Sequence, residues 1–107
     1  MFVNLTHHPW AGWSAEQKAA CEATATPICD LVFPVVSPEA SEEDVAAIAV
    51  SLAGKTVALG ASAALVEGEF TLLWRLVYEL RNQGIACYSA TSARGTPFQF
   101  VRLREYR

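Results

Sequence analysis

The residues best equipped for chemistry are the neighbours His7 and His8, which follow the run Phe2-Val3-Asn4-Leu5-Thr6 and precede Pro9. An imidazole acts as general acid or base near neutral pH and, when protonated, holds a phosphate. If extended backbone persists through the pair, the two rings point in opposite directions, so at most one reaches a common ligand. The plainer alternative is that one caps a turn while the other is exposed. No metal site is expected. Adjacent histidines on a strand do not converge on one ion, and no carboxylate or cysteine lies at chelating spacing.

Two later stretches have the composition of a phosphate or nucleotide site. Gly68-Glu69-Phe70-Thr71 opens the longest helical pattern, where free N–H groups and the positive end of the dipole favour an anion and Gly68 permits close approach. It is neither a Walker nor a G-x-G-x-x-G motif. Glu69 equally well complements the dipole, with Thr71 facing solvent. Thr91-Ser92-Ala93-Arg94 offers hydroxyls and a guanidinium suited to a phosphate or a flipped purine, or simply forms a polar turn. Arg102, Arg104 and Tyr106 recur at period two, and Phe98 and Phe100 extend the stripe. Such a stripe stacks bases and holds phosphates, although an edge strand also carries charge to block aggregation.

These groups must be positioned by the elements around them. A β-branched and aromatic run halted by Pro9 suits a central parallel strand over residues 2–6. Ser14 and Gln17 have the spacing of a capping box for a helix over 15–25, and residues 28–33 form a second strand closed by Pro34. Ser41 and Asp44 cap a helix running to Ala53 behind an acidic first turn. Thr56 to Leu59 is an uncharged run suited to a third, buried strand. Residues 60–64 then form a small-residue loop. The longest helix ends at Gln83-Gly84, with Phe70, Leu73, Leu76, Val77 and Leu80 as its core stripe. A fourth strand covers residues 85–89, a turn runs from Thr91 to Pro97, and a fifth strand covers 98–106.

With no room for a helix between the last two strands, that pair should be antiparallel. The expected fold is α/β, a small Rossmann-like three-layer sandwich. Its sheet is mostly parallel, in the order 2-1-3-4-5, with an antiparallel C-terminal edge strand. Such sheets bind ligands outside the carboxyl ends of their strands where strand order reverses. Asn4, Thr6, His7 and His8 would stand there, and Trp10 and Trp13 either stack on a ligand ring or cover the core.

A chain of 107 residues forms a single domain, residues 1–107. Apolar residues make up 52% and charged residues 18%, which leaves apolar surface to hide and points to self-association. Trp74 and Tyr78, beside the core stripe, suggest where. The net charge of -3 argues against a binder of duplex nucleic acid but permits a small anionic ligand held by placed arginines. Cys21, Cys29 and Cys87 are scattered, with no C-x-x-C pair and no secretory leader, the usage of reduced thiols in the cytoplasm. The long apolar region Val45 to Val66 is cut by Gly54-Lys55 and Gly60, so no membrane span is expected.

Taken together, Asn4-Leu5-Thr6-His7-His8-Pro9, Gly68-Glu69-Phe70-Thr71, Thr91-Ser92-Ala93-Arg94 and Phe100-Val101-Arg102-Leu103-Arg104-Glu105-Tyr106 resemble small stand-alone CARF-like proteins of type III CRISPR defence, ring nucleases among them. The resemblance covers nearly the whole chain in element order, but its motifs are short. It implies a homodimer binding cyclic oligoadenylate across its two-fold axis, with no cofactor and no metal. A ribose 2′-hydroxyl would attack its own phosphorus in line and leave a 2′,3′-cyclic phosphate, with positioning and charge stabilisation supplying the acceleration. His8 and Arg94 would be catalytic. Asn4, Thr6, His7, Gly68, Glu69, Thr71, Thr91, Ser92 and Arg104 would contact the ligand. Two alternatives stand beside this reading: a silent binder of the same messenger, and a Rossmann-like subunit that serves a protein partner.

Overall fold

A computed structural model describes residues 1–94 and 98–107. The turn expected before the last strand falls partly on residues 95–97, outside the described residues. Five strands and three helices follow in the order β1 (Phe2–Leu5), α1 (Ala15–Thr24), β2 (Ile28–Asp30), α2 (Glu42–Ala58), β3 (Ala63–Val66), α3 (Phe70–Asn82), β4 (Ala86–Ala93) and β5 (Gln99–Glu105). They form one sheet in the order β2-β1-β3-β4-β5. All pairings are parallel except β4 with β5. This is the expected small Rossmann-like sandwich with an antiparallel edge.

β1 sits between β2 and β3, and all four of its residues are buried. Alternation sorts its side chains between two cores. Val3 and Leu5 join Ala64, Val66, Leu72, Leu76 and Leu80 beneath α2 and α3. Phe2 joins Cys21, Ala63 and Leu65 beneath α1. β2 is shorter than expected, but its ladder is carried on by Leu31 N–H to Asn4 O at 2.8 Å and Phe33 N–H to Thr6 O at 3.2 Å.

The third strand lies elsewhere than the sequence suggests. Residues 56–58, expected to open it, instead complete α2, and β3 starts at Ala63 and Ala64, the end of the segment read as a loop, and runs on through Leu65 and Val66. The buried positions Val45, Ala49, Leu52, Ala53 and Thr56 continue one helical stripe through Gly54, which is exposed and costs a helix only about 1 kcal/mol. Thr56 Oγ1 closes the turn by donating to Leu52 O at 2.8 Å. Gly60, at φ 84°, ends the helix in the left-handed conformation that favours glycine. Ala63 and Ala64 then suit a strand buried on both faces, where small side chains let the helical layers approach.

α3 is turned about its axis relative to the expected stripe. Leu72, Leu76 and Leu80 are buried, whereas Phe70 is 82% exposed. Both Ser41 halves of the α2 capping box are present, with Asp44 N–H donating to Ser41 Oγ at 3.1 Å and Ser41 N–H to Asp44 Oδ2 at 3.0 Å. At α1 only Ser14 caps, accepting from Gln17 N–H at 3.2 Å. The Gln17 side chain does not return to the cap.

The close approach at Gly68 serves the protein's own core, because a Cβ there would overlap the Phe33 ring. Overpacking of this kind costs about 1–3 kcal/mol. Gly68→Ala is therefore expected to lower the unfolding free energy by that amount, read as a lower urea midpoint with an unchanged slope. A midpoint equal to wild type would show that the ring moves aside freely.

Candidate functional site

The carboxyl end of β1 is organised by Asn4, whose side chain is 1% exposed. Its Nδ2 donates to Asp30 Oδ1 at 2.7 Å and to His8 O at 2.9 Å. Its Oδ1 accepts from Thr6 Oγ1 at 2.8 Å, and that hydroxyl accepts in turn from His8 N–H at 3.1 Å. Trp13 Nε1 reaches the same His8 carbonyl at 3.1 Å, and Trp10 N–H donates to Asp30 Oδ1 at 3.1 Å. Asn4 and Thr6 are thus committed to folding the loop back over the strand ends, with little hydrogen-bonding capacity left for a ligand.

This loop forms one wall of a cleft of about 640 Å³, lined by Thr6, His8, Trp13, Gln17, Glu67 and Phe98 among others. It lies on the α1 face at the ends of β1 and β3, the pair of neighbours at which strand order reverses. Its volume and its apolar walls with few polar groups are those of a small-molecule site. Glu67, the first residue after β3, is held there by Ser89 Oγ at 3.0 Å and Ala90 N–H at 2.7 Å, both donating to Oε2. Oε1 has no partner among the described residues. Gln17 is 5% exposed, and among the described residues its carboxamide has no hydrogen-bond partner. Among the described residues no side-chain polar atom is both buried and unpartnered, so the Gln17 amide atoms are open to the cleft, with donors and acceptor ready for a bound molecule.

The other sequence-derived candidates are dispersed. His7 is exposed and packs edge-on against Phe33 at 5.6 Å, while His8 stands at the cleft. Glu69 caps its own helix, accepting from Thr71 N–H at 3.0 Å, Leu72 N–H at 2.9 Å and Thr71 Oγ1 at 2.7 Å. The positive end of α3 is thereby already neutralised by a carboxylate. Thr71 lines a groove between α2 and α3 on the opposite face of the sheet.

Thr91 Oγ1 ties the two edge strands by accepting from Arg102 N–H at 3.2 Å. The ladder shifts register between Thr91 and Ser92, so that Arg102 opposes Thr91 and Phe100 opposes Ser92. Neighbouring strand residues face opposite ways, so this bulge sends Phe100 to the α1 face and Arg102 to the other. The expected continuous aromatic and basic stripe is split between two faces. Arg104 opposes Ser89 on the Arg102 side, and Ser92 and Arg94 are exposed beside the strand end.

Gln17, Glu67 and Asp30 were not among the residues the sequence picked out. The signal for Glu67 was a charged residue directly after a short apolar run, hidden by placing the third strand too early. Gln17 was masked by its capping-box spacing. Among the described residues, no group of three or more His, Cys, Asp and Glu side chains is placed to hold a metal ion, and no helix is long and apolar enough to cross a membrane.

Fold and site define a small doubly wound α/β protein with an aromatic-walled crevice at its topological switch point. The chain belongs to the uncharacterized protein MJ1673 family, whose profile matches residues 1–97. No curated protein and no solved structure matches it.

Two outcomes test this geometry. Asn4→Ala removes three bonds: Thr6 Oγ1 loses its acceptor Oδ1, and the His8 carbonyl and Asp30 Oδ1 keep only Trp13 Nε1 and Trp10 N–H as donors from the side of the loop. The expected loss is on the order of 2–4 kcal/mol in urea unfolding, with faster hydrogen exchange at the His8 amide. A loss under half a kcal/mol, a threshold set by the weakest net hydrogen bonds, would remove Asn4 as organiser. The Glu69 carboxyl is held below its ordinary value of 4.5 first by the Thr71 hydroxyl, then by the Leu72 and Thr71 amides. Because the folded value is depressed, its contribution is present above 4.5 and disappears as pH falls through the lowered value. The stability gap between wild type and Glu69→Gln should therefore shrink from pH 7 to pH 3; a constant gap would mean the cap does not depend on charge.

Proposed function

We propose that the crevice binds an adenine nucleotide unit, and that the ligand is cyclic oligoadenylate, the messenger to which the sequence resemblance points. The observation that carries this reading is the unpartnered Gln17 carboxamide in a cleft walled by Trp13 and Phe98. Glutamine pairs bidentately with the N6 and N7 edge of adenine, and aromatic walls stack the base. Glu67 Oε1 supplies a second acceptor for the exocyclic amine. Among the described residues no lysine or arginine lines the cleft, so the phosphates extend past His8 at its wall, towards the exposed Arg94 beyond the end of β4. The net charge of -3 suits a small ligand better than a duplex, and the three thiols fit the cytoplasm.

Cleavage on this reading uses the ligand's own 2′-hydroxyl. The 2′ oxygen bonds to the adjacent phosphorus as the P–O5′ bond breaks. A base removes the 2′ proton, an acid protonates the 5′ oxygen, and a 2′,3′-cyclic phosphate remains. His8 supplies proton transfer, and Arg94 stabilises charge on the phosphoryl oxygens. The second reading, a non-catalytic binder of the same ring, is favoured by the engagement of the neighbouring polar groups. Asn4 and Thr6 hold the loop and Glu67 holds β4, leaving His8, among the described residues, as the lining imidazole to move a proton.

The protein incubated with cyclic tri-, tetra- and hexa-adenylate in chelator separates these readings. Linear products ending in a cyclic phosphate, lost in His8→Ala with binding retained, identify a ring nuclease; an intact ring bound tightly identifies a sensor or sponge. In either case Gln17→Leu should weaken binding about tenfold to a hundredfold, the value of a bidentate base contact. Absence of binding to any of the three rings overturns the proposal.

A further inference from the structure

We propose that the outer face of α3 is a homodimer interface, in which the α3 helices of two copies pack antiparallel about a two-fold axis near Trp74. This face lies on the opposite side of the sheet from the crevice and is independent of what the crevice binds. Phe70, Trp74 and Tyr78, spaced four apart, form a ridge and are 82%, 70% and 50% exposed. At roughly 200 Å² for a whole aromatic side chain, they leave on the order of 400 Å² of aromatic surface in water. That is about half of the ~800 Å² that each partner contributes to a stable interface. A patch of this size matches the largest that a typical monomer carries, and such patches often serve binding.

The ridge is ordered in advance. The Trp74 and Tyr78 rings stack at 6.1 Å with 9° between their planes. Arg75 lies over the Tyr78 ring at 5.8 Å while its Nε donates to Glu79 at 2.9 Å. Little side-chain freedom is left to lose on association. A groove runs on each side of the ridge. One, of about 440 Å³, is lined by Val45 and Ala46 of α2. The other, of about 470 Å³, is lined by Leu73, Val77 and Tyr106. A ridge of residues four apart packs into the matching groove of a second helix, and under a two-fold axis each copy offers both parts to the other.

Charge fixes the direction. The groove at the start of α3 carries Glu42 and also Arg75, whose charge is met by Glu79 at 2.9 Å, and the groove towards its end carries Arg81 and Arg107. An antiparallel arrangement brings Arg81 of each copy towards the partner subunit's Glu42. A parallel one sets like charge against like. The crevices of such a dimer face away from the axis, unlike the shared pocket that the sequence resemblance implies, so each copy would bind its own ligand.

Sedimentation velocity at micromolar concentration tests this directly. The wild type should sediment as a dimer, and Trp74→Glu as a monomer with unchanged far-ultraviolet circular dichroism. Trp74→Cys should cross-link to itself under mild oxidation. Arg81→Glu should weaken the dimer several-fold, and adding Glu42→Arg to the same chain should restore it. A monomeric wild type, or a dimer indifferent to Trp74→Glu, overturns the interface. Failure of the charge reversal to restore the dimer overturns the antiparallel alignment.

Discussion

The crevice depends on one buried amide. Asn4 is a buried amide on the central strand, and an unmatched amide there would cost several kcal/mol. It is fully matched, to a carboxylate on the neighbouring strand, to the Thr6 hydroxyl just past its own strand and to a carbonyl in the loop that follows. Because the network is closed, the chain after β1 has one low-energy path, back across the strand ends. Trp13 and His8 are carried to the crevice wall by that path rather than by their own preferences. The donors that look available in the sequence are therefore the scaffold, and the open groups lie on the elements around them.

The three layers divide the labour of the molecule. The α1 side of the sheet holds a small core under a single helix and leaves space between that helix, β3 and the end of β5. The α2 and α3 side holds the larger core, and its buried thiol Cys87 is pushed up to about 12, mainly by burial. Its helices lie side by side, and that layer carries the exposed aromatic ridge. The crevice and the exposed aromatic ridge thus lie on opposite faces of one sheet, so a change on either face need not disturb the other.

The edge hairpin shows how one residue redirects the side chains of a strand. At period two, Phe98, Phe100, Arg102 and Arg104 form one stripe, and an unbroken ladder would have kept them together. The shift between Thr91 and Ser92 inserts one residue and turns the aromatic half towards the crevice, while the basic half stays on the other face. The same shift places Phe98 where it can close the cleft against Trp13. Bulges act in this way because the side-chain period of a strand is two, and one extra residue reverses the facing of everything beyond it.

Local signals in the chain determined most of the architecture. Proline stops, Ser-initiated caps, glycine helix ends and a final pair of strands too close for a crossover define the element order and the antiparallel edge, because each acts over a few residues. The strand order followed from the rules governing crossovers. The third strand escaped, because Ala63 and Ala64 carry little β preference and become a strand only when two helical layers must approach there. The exposure of Phe70 escaped because a helical period does not say which of two apolar stripes meets the sheet. Tertiary structure alone decided the site. Whether a carboxylate such as Glu69 caps its own helix, or an amide such as Gln17 faces an open cleft, depends on partners far away in sequence, and spacing does not encode them.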